Sequence, residues 1–279
     1  MMKPKVLAGV ALIVATLALV YWNVSIRLVD AWINDGNYSH GFLIVPLALY
    51  FAWERRRALE AAEIRGSWLG LPVLVFGIAL LLAGLLGSEL FLSRVSLLAT
   101  GAGIVLFLYG WQHLRILAFP LAFLLLMIPI PNIIFNQIAF PLQIFASRVG
   151  EAAITAVGIP VLREGNVLIL PNKSLEVAEA CSGIRSLVSL ITLGIVYGYF
   201  MDPRLWVRGL IVASAIPVAI LANGARVAGT GMASHWYGPE AAEGFFHEFS
   251  GWIVFAFAFV MILAIQGLIV KFAPKRRGG

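Results

Sequence analysis

Residues 67–86 read SWLGLPVLVFGIALLLAGLL, and residues 90–110 read LFLSRVSLLATGAGIVLFLYG. The first block holds no charged side chain, and the second holds only that of Arg94. Because about 20 consecutive apolar residues in helical conformation span the hydrocarbon core of a bilayer, each block predicts a transmembrane helix. The two blocks therefore predict an integral membrane protein.

The composition of the whole chain extends this prediction to several spans. Hydrophobic residues make up 61% of the 279 residues and charged residues 12%, and the mean hydropathy is +0.94. These values exceed the apolar fraction of ordinary soluble domains, which argues against a soluble enzyme. We predict an all-α polytopic membrane protein with about eight transmembrane helices. They fall near 6–22, 39–53, 67–86, 90–110, 114–130, 184–200, 207–229 and 250–270.

Lys and Arg residues are distributed unevenly over the loops between these spans. If the N-terminus is inside, thirteen of the 20 Lys and Arg residues fall on the inner side, and the outer side is net acidic. Positive residues accumulate on the cytoplasmic side of membranes, so both termini are predicted to be cytoplasmic. Since this topology accounts for the net charge of +6, we predict no nucleic-acid partner.

The longest stretch without a span, 131–183, is predicted to lie outside. A helix from Ile133 to Val157 with one polar face, broken at Pro141, is expected to lie along the membrane interface. Three short apolar runs separated by turn residues then predict a small β-meander. They fall near 161–163, 166–170 and 175–178. No repeat or linker interrupts the chain, so residues 1–279 are interpreted as a single domain.

The only cysteine, Cys181, follows the meander at the predicted start of the sixth span. A single cysteine excludes an intrachain disulfide, a multi-cysteine metal site and a CxxC redox pair. At a helix start, the unpaired N–H groups and the helix dipole favour a thiolate, and Arg185 adds a cation one turn along. The alternative is an inert buried thiol, because free cysteines are commonly buried.

Two more groups are predicted at the same outer depth. Asn223 and Arg226 lie three residues apart near the outer end of the seventh span and therefore share a helix face. His247 lies between Gly244 and Gly251 where the eighth span begins. Arg226 could instead reach lipid headgroups, and His247 could be an ordinary interface residue. A thiol, a guanidinium and an imidazole are together the groups that nucleophilic acyl transfer requires.

Other sites are less specific. His40, at the outer start of the second span, could line the same site or have a structural or gating role. A metal site needs three or four converging ligands, and the sequence shows no such spacing, so no metal is predicted. The absence of a GxxxxGK[ST] or GxGxxG phosphate loop argues against a nucleotide-driven pump, and no cofactor is predicted.

Several strings in the sequence match a known family. They are YSHGFL at 38–43, REGN at 163–166, VAEACSGIRS at 177–186, LANGARV at 221–227 and HEFSG at 247–251. These strings resemble the exosortase/archaeosortase family, and the bacterial exosortases in particular. The match covers nearly the whole chain, and the AEACSGIRS string is highly specific.

The resemblance implies a membrane-embedded cysteine protease or transpeptidase of the bacterial inner membrane, with its active site on the periplasmic side. Its substrates would be membrane-anchored proteins with C-terminal sorting signals of the PEP-CTERM type. Such a signal has a Pro-Glu-Pro motif, a transmembrane helix and a basic cluster. Cleavage near the motif would form an acyl-thioester, which passes the protein to an acceptor. The lipid bilayer and exopolysaccharide machinery are the other implied partners.

The resemblance also assigns roles to individual residues. Cys181 is the implied nucleophile, Arg226 the proton donor or oxyanion partner, and His247 a transition-state stabiliser. Archaeal relatives can carry arginine at the position of His247, so the group that transfers the proton is left open between these two.

Substrate contacts are expected on the outer side. The acidic residue of a Pro-Glu-Pro motif requires a cation, for which Arg163, Lys173 and Arg185 are the candidates. Asn223 and His40 are the other candidate substrate-binding residues.

Two classes of non-enzymatic function compete with this interpretation. A transporter is one alternative, although the sequence shows no inverted repeat with broken helices at matching positions. A membrane scaffold for exopolysaccharide assembly is another, and it predicts that Cys181 is dispensable. Within the enzyme interpretation, hydrolysis and transfer differ only in whether water or an amine resolves the thioester.

Overall fold

The computed structural model describes residues 4–171, 173–177, 184–238 and 244–272. The chain divides into two compact units, Met1–Pro131 and Asn132–Gly279. We call these the first and the second unit. The single domain expected from the sequence stays a prediction.

The chain is mostly helical, with one small sheet. The helices are α1 (Pro4–Val20), α2 (Trp22–Asn34), α3 (Gly41–Glu54), α4 (Arg56–Ala61), α5 (Gly70–Leu86), α6 (Leu90–Leu108), α7 (Trp111–Phe123), α8 (Asn132–Ala156), α9 (Ile184–Met201), α10 (Leu205–Tyr237) and α11 (Gly244–Phe272). A 3₁₀ helix, Leu124–Met127, follows α7, and the strands are β1 (Leu162–Glu164), β2 (Val167–Ile169) and β3 (Ser174–Glu176). By length and apolar composition, four described helices can cross a membrane, or six if two bent helix pairs each count as one span. The predicted all-α polytopic membrane fold is confirmed.

Each predicted span coincides with a helix. Two of them, α3 and α5, are shorter apolar helices of 14 and 17 residues. The sequence prediction missed α2, which follows α1 after a single residue and a bend of 66°. The buried residues Val24, Leu28 and Trp32 recur every fourth residue on α2. Polar residues between them give this segment a low mean hydropathy, so a search for apolar blocks passes over it.

In the first unit, α5 and α6 pack closely along a stripe of glycines. Gly70, Gly77 and Gly84 recur every seven residues on α5. The α6 residues that they face are Phe107, Thr100 and Ser93, which are also seven residues apart. A Cβ atom at any of the three glycines would collide with the residue opposite. Helices in a bilayer gain no hydrophobic stabilisation from lying side by side, so this close contact supplies their packing energy.

In the second unit, α8 packs against α10. Helix α8 continues without interruption through Pro141, so the predicted break of this helix at Pro141 is wrong. Proline removes one N–H donor from the helix, but buried residues on both sides of it, Ala139 and Gln143, keep the two halves packed. A proline inside an apolar helix therefore did not mark a helix end.

The predicted β-meander is confirmed as a three-stranded antiparallel sheet in the order β1-β2-β3. Leu168 of the central strand is fully buried. It shares a hydrophobic core with Ile154 of α8, Val227 of α10 and Val177, which follows β3. The sheet is therefore attached to two helices of the second unit.

Charged groups hold the connection between α9 and α10. The Asp202 carboxylate accepts a 2.8 Å hydrogen bond from the backbone N–H of Arg204 and a 2.7 Å bond from its guanidinium. Arg208 donates to the backbone carbonyls of Tyr199 and Asp202 and so caps the end of α9. Hydrogen bonding to the Arg204 side chain lowers the pKa of Asp202 below its ordinary value.

The glycine stripe predicts that Gly77→Ala destabilises the protein. The new Cβ atom would lie 2.5 Å from Thr100 Oγ1 and 2.7 Å from Thr100 N, so the helices must separate. We expect a loss of about 1–3 kcal/mol, the usual cost of overpacking, measured as a lower thermal unfolding midpoint in detergent. Gly101→Ala on α6 is the matched control, because nothing lies within 4 Å of its added Cβ atom. Equal shifts for both variants would contradict the proposed packing.

The Asp202 contacts predict a pH-dependent contribution to stability. A carboxyl whose pKa is lowered by folding stabilises the folded state above its unfolded pKa, and this stabilisation is lost as the pH falls through the folded pKa. We therefore expect Asp202→Asn to lower the unfolding midpoint at neutral pH. The difference from wild type should shrink below about pH 4, where the unfolded carboxyl takes up its proton. Glu60→Gln, which changes an exposed carboxyl, is the control; an equal effect would refute the assignment.

Candidate active site

The three predicted catalytic residues belong to the second unit. Arg226 lies on α10 and is fully described. The backbone of His247 lies in the first turn of α11, and its side chain is outside the described part of the structure. Cys181 also lies outside the described residues. The geometry of the site is therefore built from α10, α11 and the residues that flank Cys181 in sequence.

The α10 segment around Arg226 is packed closely against α8. Asn223 is buried, with 4% of its surface exposed, and it shares the helix face of Arg226. A Cβ atom on Gly224 would lie 2.7 Å from a methyl group of Val149 on α8. Conversely, a Cβ atom on Gly150 would lie 2.7 Å from a methyl group of Val227. The two glycines let the helix backbones meet at the level of Asn223 and Arg226.

The guanidinium of Arg226 lies over α11 at a position without a side chain. An ideal Cβ atom on Gly251 would be 3.3 Å from both Cζ and Nη2 of Arg226. His247 is four residues before Gly251 on the same helix, so the two residues occupy one face of α11. The backbone of His247 therefore lies one helical turn before the glycine that the guanidinium of Arg226 approaches.

The predicted substrate cation Arg163 makes contacts within the protein. Its Nε atom donates to Glu151 of α8 at 2.8 Å, and its Nη1 atom donates to the carbonyl of Gly165 at 3.0 Å. About a quarter of the side chain is exposed. These contacts join β1 to α8, and the substrate contact expected of Arg163 stays a prediction.

The other two candidate cations lie on either side of Cys181 in sequence. Lys173 is half-buried and exchanges backbone hydrogen bonds with Leu170, which closes the hairpin between β2 and β3. Arg185 is exposed and is the second residue of α9. The substrate contacts expected of Lys173 and Arg185 stay predictions.

His40 belongs to the first unit. Its Nε2 atom lies 3.1 Å from the carbonyl of Leu126, in the 3₁₀ helix that follows α7. In the same region, Trp32 donates to the carbonyl of Met127 and Tyr38 accepts from the backbone N–H of Ile130. These side chains pair with backbone groups where a helix ends beside two prolines. The contacts give His40 a structural role within its unit, and its expected contact with substrate stays a prediction.

No group of three or more His, Cys, Asp or Glu side chains is placed to hold a metal ion within the described ranges.

The family profile described as transmembrane exosortase (Exosortase_EpsH) matches residues 32–264, which is most of the chain. This chain belongs to the transmembrane exosortase family. No curated protein and no solved structure matches it. Membership supports a membrane protein of exosortase-type protein sorting, and the matched residues include Cys181, Arg226 and His247.

Two contacts of this exosortase were not predicted from its sequence. Ser147 of α8 is fully buried and donates to the carbonyl of Gly165 at 3.0 Å. Asn166 contacts Val177 through both its backbone and its side chain. The REGN string was the available signal, since it places a glycine and an asparagine in a turn, but a turn signal does not identify distant partners.

Proposed function

We propose that this exosortase is a cysteine protease or transpeptidase that cleaves PEP-CTERM-type sorting signals of membrane-anchored proteins. This proposal is supported best by the position of the Arg226 guanidinium, which lies over Gly251, one helical turn from His247. A cation suits the developing oxyanion and a histidine suits proton transfer, which are two roles used in acyl transfer to a cysteine thiolate. We further propose that it acts at the periplasmic face of the bacterial inner membrane, with both termini cytoplasmic.

In the proposed reaction, the Cys181 thiolate attacks the carbonyl carbon of the scissile peptide bond. The carbon–nitrogen bond then breaks, and the leaving amine takes a proton from the His247 imidazolium. A thioester between Cys181 and the new C-terminus is left on the enzyme. Water or an acceptor amine attacks this thioester and gives its proton to His247, which restores the thiolate and the imidazolium.

The chemistry of the two side chains supports different roles for them. A guanidinium keeps its proton at all physiological pH values, so Arg226 is suited to donate hydrogen bonds to the oxyanion and unsuited to transfer a proton. An imidazole titrates near neutral pH, so His247 is suited to carry the proton. We therefore propose Arg226 as the oxyanion partner and His247 as the acid and base.

Substrate recognition is proposed to use the outer side of the second unit. Of the candidate cations, Arg185 is exposed and follows Cys181 by four residues in the sequence, and Arg163 donates to Glu151. A substrate with its own transmembrane helix shares the membrane with the enzyme, which raises its effective concentration. Exopolysaccharide machinery stays a proposed partner.

The nucleophile is tested by Cys181→Ala in cells that also express a protein with a Pro-Glu-Pro motif, a transmembrane helix and a basic tail. We expect wild type to shorten this protein and to release it from the membrane. The variant should lose at least about 10³-fold of the rate, because no other group replaces the thiolate. The intact mass of the product distinguishes hydrolysis from transfer to an acceptor.

Expression and membrane insertion of Cys181→Ala are checked in parallel. Equal processing by wild type and variant would remove Cys181 as the nucleophile. That result would favour the non-enzymatic scaffold.

The variant Gly251→Leu tests whether catalysis needs the guanidinium of Arg226 at its position over Gly251. A leucine side chain would occupy the space of the guanidinium and displace it, and misplacing an oxyanion donor costs roughly 10²-fold in rate. The control is Gly267→Leu on the same helix, where nothing lies within 4 Å of an added Cβ atom. We expect Gly251→Leu alone to reduce processing in the same assay. Unchanged processing would show that catalysis does not need the guanidinium at this position.

A further inference from the structure

The turn between β1 and β2 connects the sheet to α8. The carbonyl of Gly165 accepts hydrogen bonds from Ser147 Oγ and from Arg163 Nη1, each at 3.0 Å. Gly165 has a φ of +63°, which a glycine adopts without steric cost. Because Ser147 is fully buried and Arg163 is also paired with Glu151, the turn is held at several points.

Asn166, the next residue in the turn, forms two hydrogen bonds with Val177, the residue that follows β3. Its carbonyl accepts a 2.9 Å hydrogen bond from the backbone N–H of Val177. Its side-chain amide Nδ2 donates to the carbonyl of Val177 at 3.3 Å. Since Val167 pairs with Glu176, Asn166 is opposite Val177 in the same register. The amide thus adds a bond to the sheet just beyond the last paired residues of β2 and β3.

Val177 follows the last strand of the sheet, and residues 178–183, which we call the nucleophile segment, come next in the sequence. Cys181 lies four residues after Val177 and three residues before Ile184. Val177 and Ile184 are both buried, at 1% and 2% exposure. Val177 also shares a hydrophobic core with Val227, the neighbour of Arg226 on α10.

We propose that Asn166 is a positioning residue for Cys181. Its two hydrogen bonds fix Val177, and through Val177 they fix the point from which the nucleophile segment leaves the sheet beside α10. Loss of the amide leaves the Val177 carbonyl without its donor and frees this end of the segment. The inference rests on the proposed function of Cys181 as the nucleophile and adds a residue that does not touch the substrate.

The experiment uses the single cysteine of the full-length protein. Alkylation of Cys181 by N-ethylmaleimide is measured against pH, which needs no substrate, and processing is measured at saturating substrate. If Cys181 is the nucleophile of the proposed function, its thiol should react with a midpoint below the ordinary value of about 8.5. We expect Asn166→Ala to raise this midpoint by about one pH unit or more and to slow processing about tenfold or more.

Two further variants separate positioning from general destabilisation. Asn166→Asp is nearly isosteric, but its carboxylate has no N–H to donate, so this variant should behave like Asn166→Ala. If Asn166→Ala does not fold, Asn166→Asp tests the positioning role in its place. Tyr197→Phe removes a 2.7 Å hydrogen bond to Gln266 between α9 and α11 and is the control. We expect the control to leave the alkylation midpoint unchanged.

Each result has a defined meaning. If folded Asn166 variants keep the wild-type midpoint and processing rate, or if Tyr197→Phe changes both equally, the positioning role is wrong. If the midpoint shifts but Cys181→Ala still processes substrate, the proposed function is wrong and the positioning of Cys181 stands.

Discussion

The close crossing of α8 and α10 is the contact on which the second unit depends. At this crossing Gly150 meets Val227, and Gly224 meets Val149. Apolar side chains gain nothing from association within lipid, so small residues that allow the backbones to approach supply the packing energy. The crossing lies at the level of Arg226. This packing contact therefore fixes α10, which carries the guanidinium of Arg226, relative to α8, against which the sheet packs.

The sheet packs against this helix crossing, and the chain continues from the sheet toward Cys181, the proposed nucleophile. Three strands of three residues are too small to be stable alone. Leu168 and Val177 bury them against α8 and α10, and Ser147 holds the first turn by a hydrogen bond. The described residues that flank residues 178–183, Val177 and Ile184, are both buried.

Local patterns in the sequence were sufficient to predict most of the fold. Apolar blocks of membrane length identified a helix at every predicted span, and short apolar runs between turn residues identified the meander. Two predictions failed because tertiary packing overrides local signals. Pro141 does not end α8, since the helix is packed on both sides of it. The segment of α2 is too polar to be found as an apolar block, and its helix is marked by the buried residues Val24, Leu28 and Trp32 at every fourth position.

For the candidate site, the sequence identified chemical groups but could not identify their contacts. Arg163 was selected because it is a cation on the outer side, yet its guanidinium is paired with Glu151, twelve residues earlier in the chain. Asn166 was predicted only as the first residue of a strand and as part of the REGN string, although its amide reaches Val177, eleven residues later. Near a membrane, a polar side chain has to find a partner, and that partner can be substrate or protein. Only the fold distinguishes the two, because burial and register decide which acceptor lies within reach.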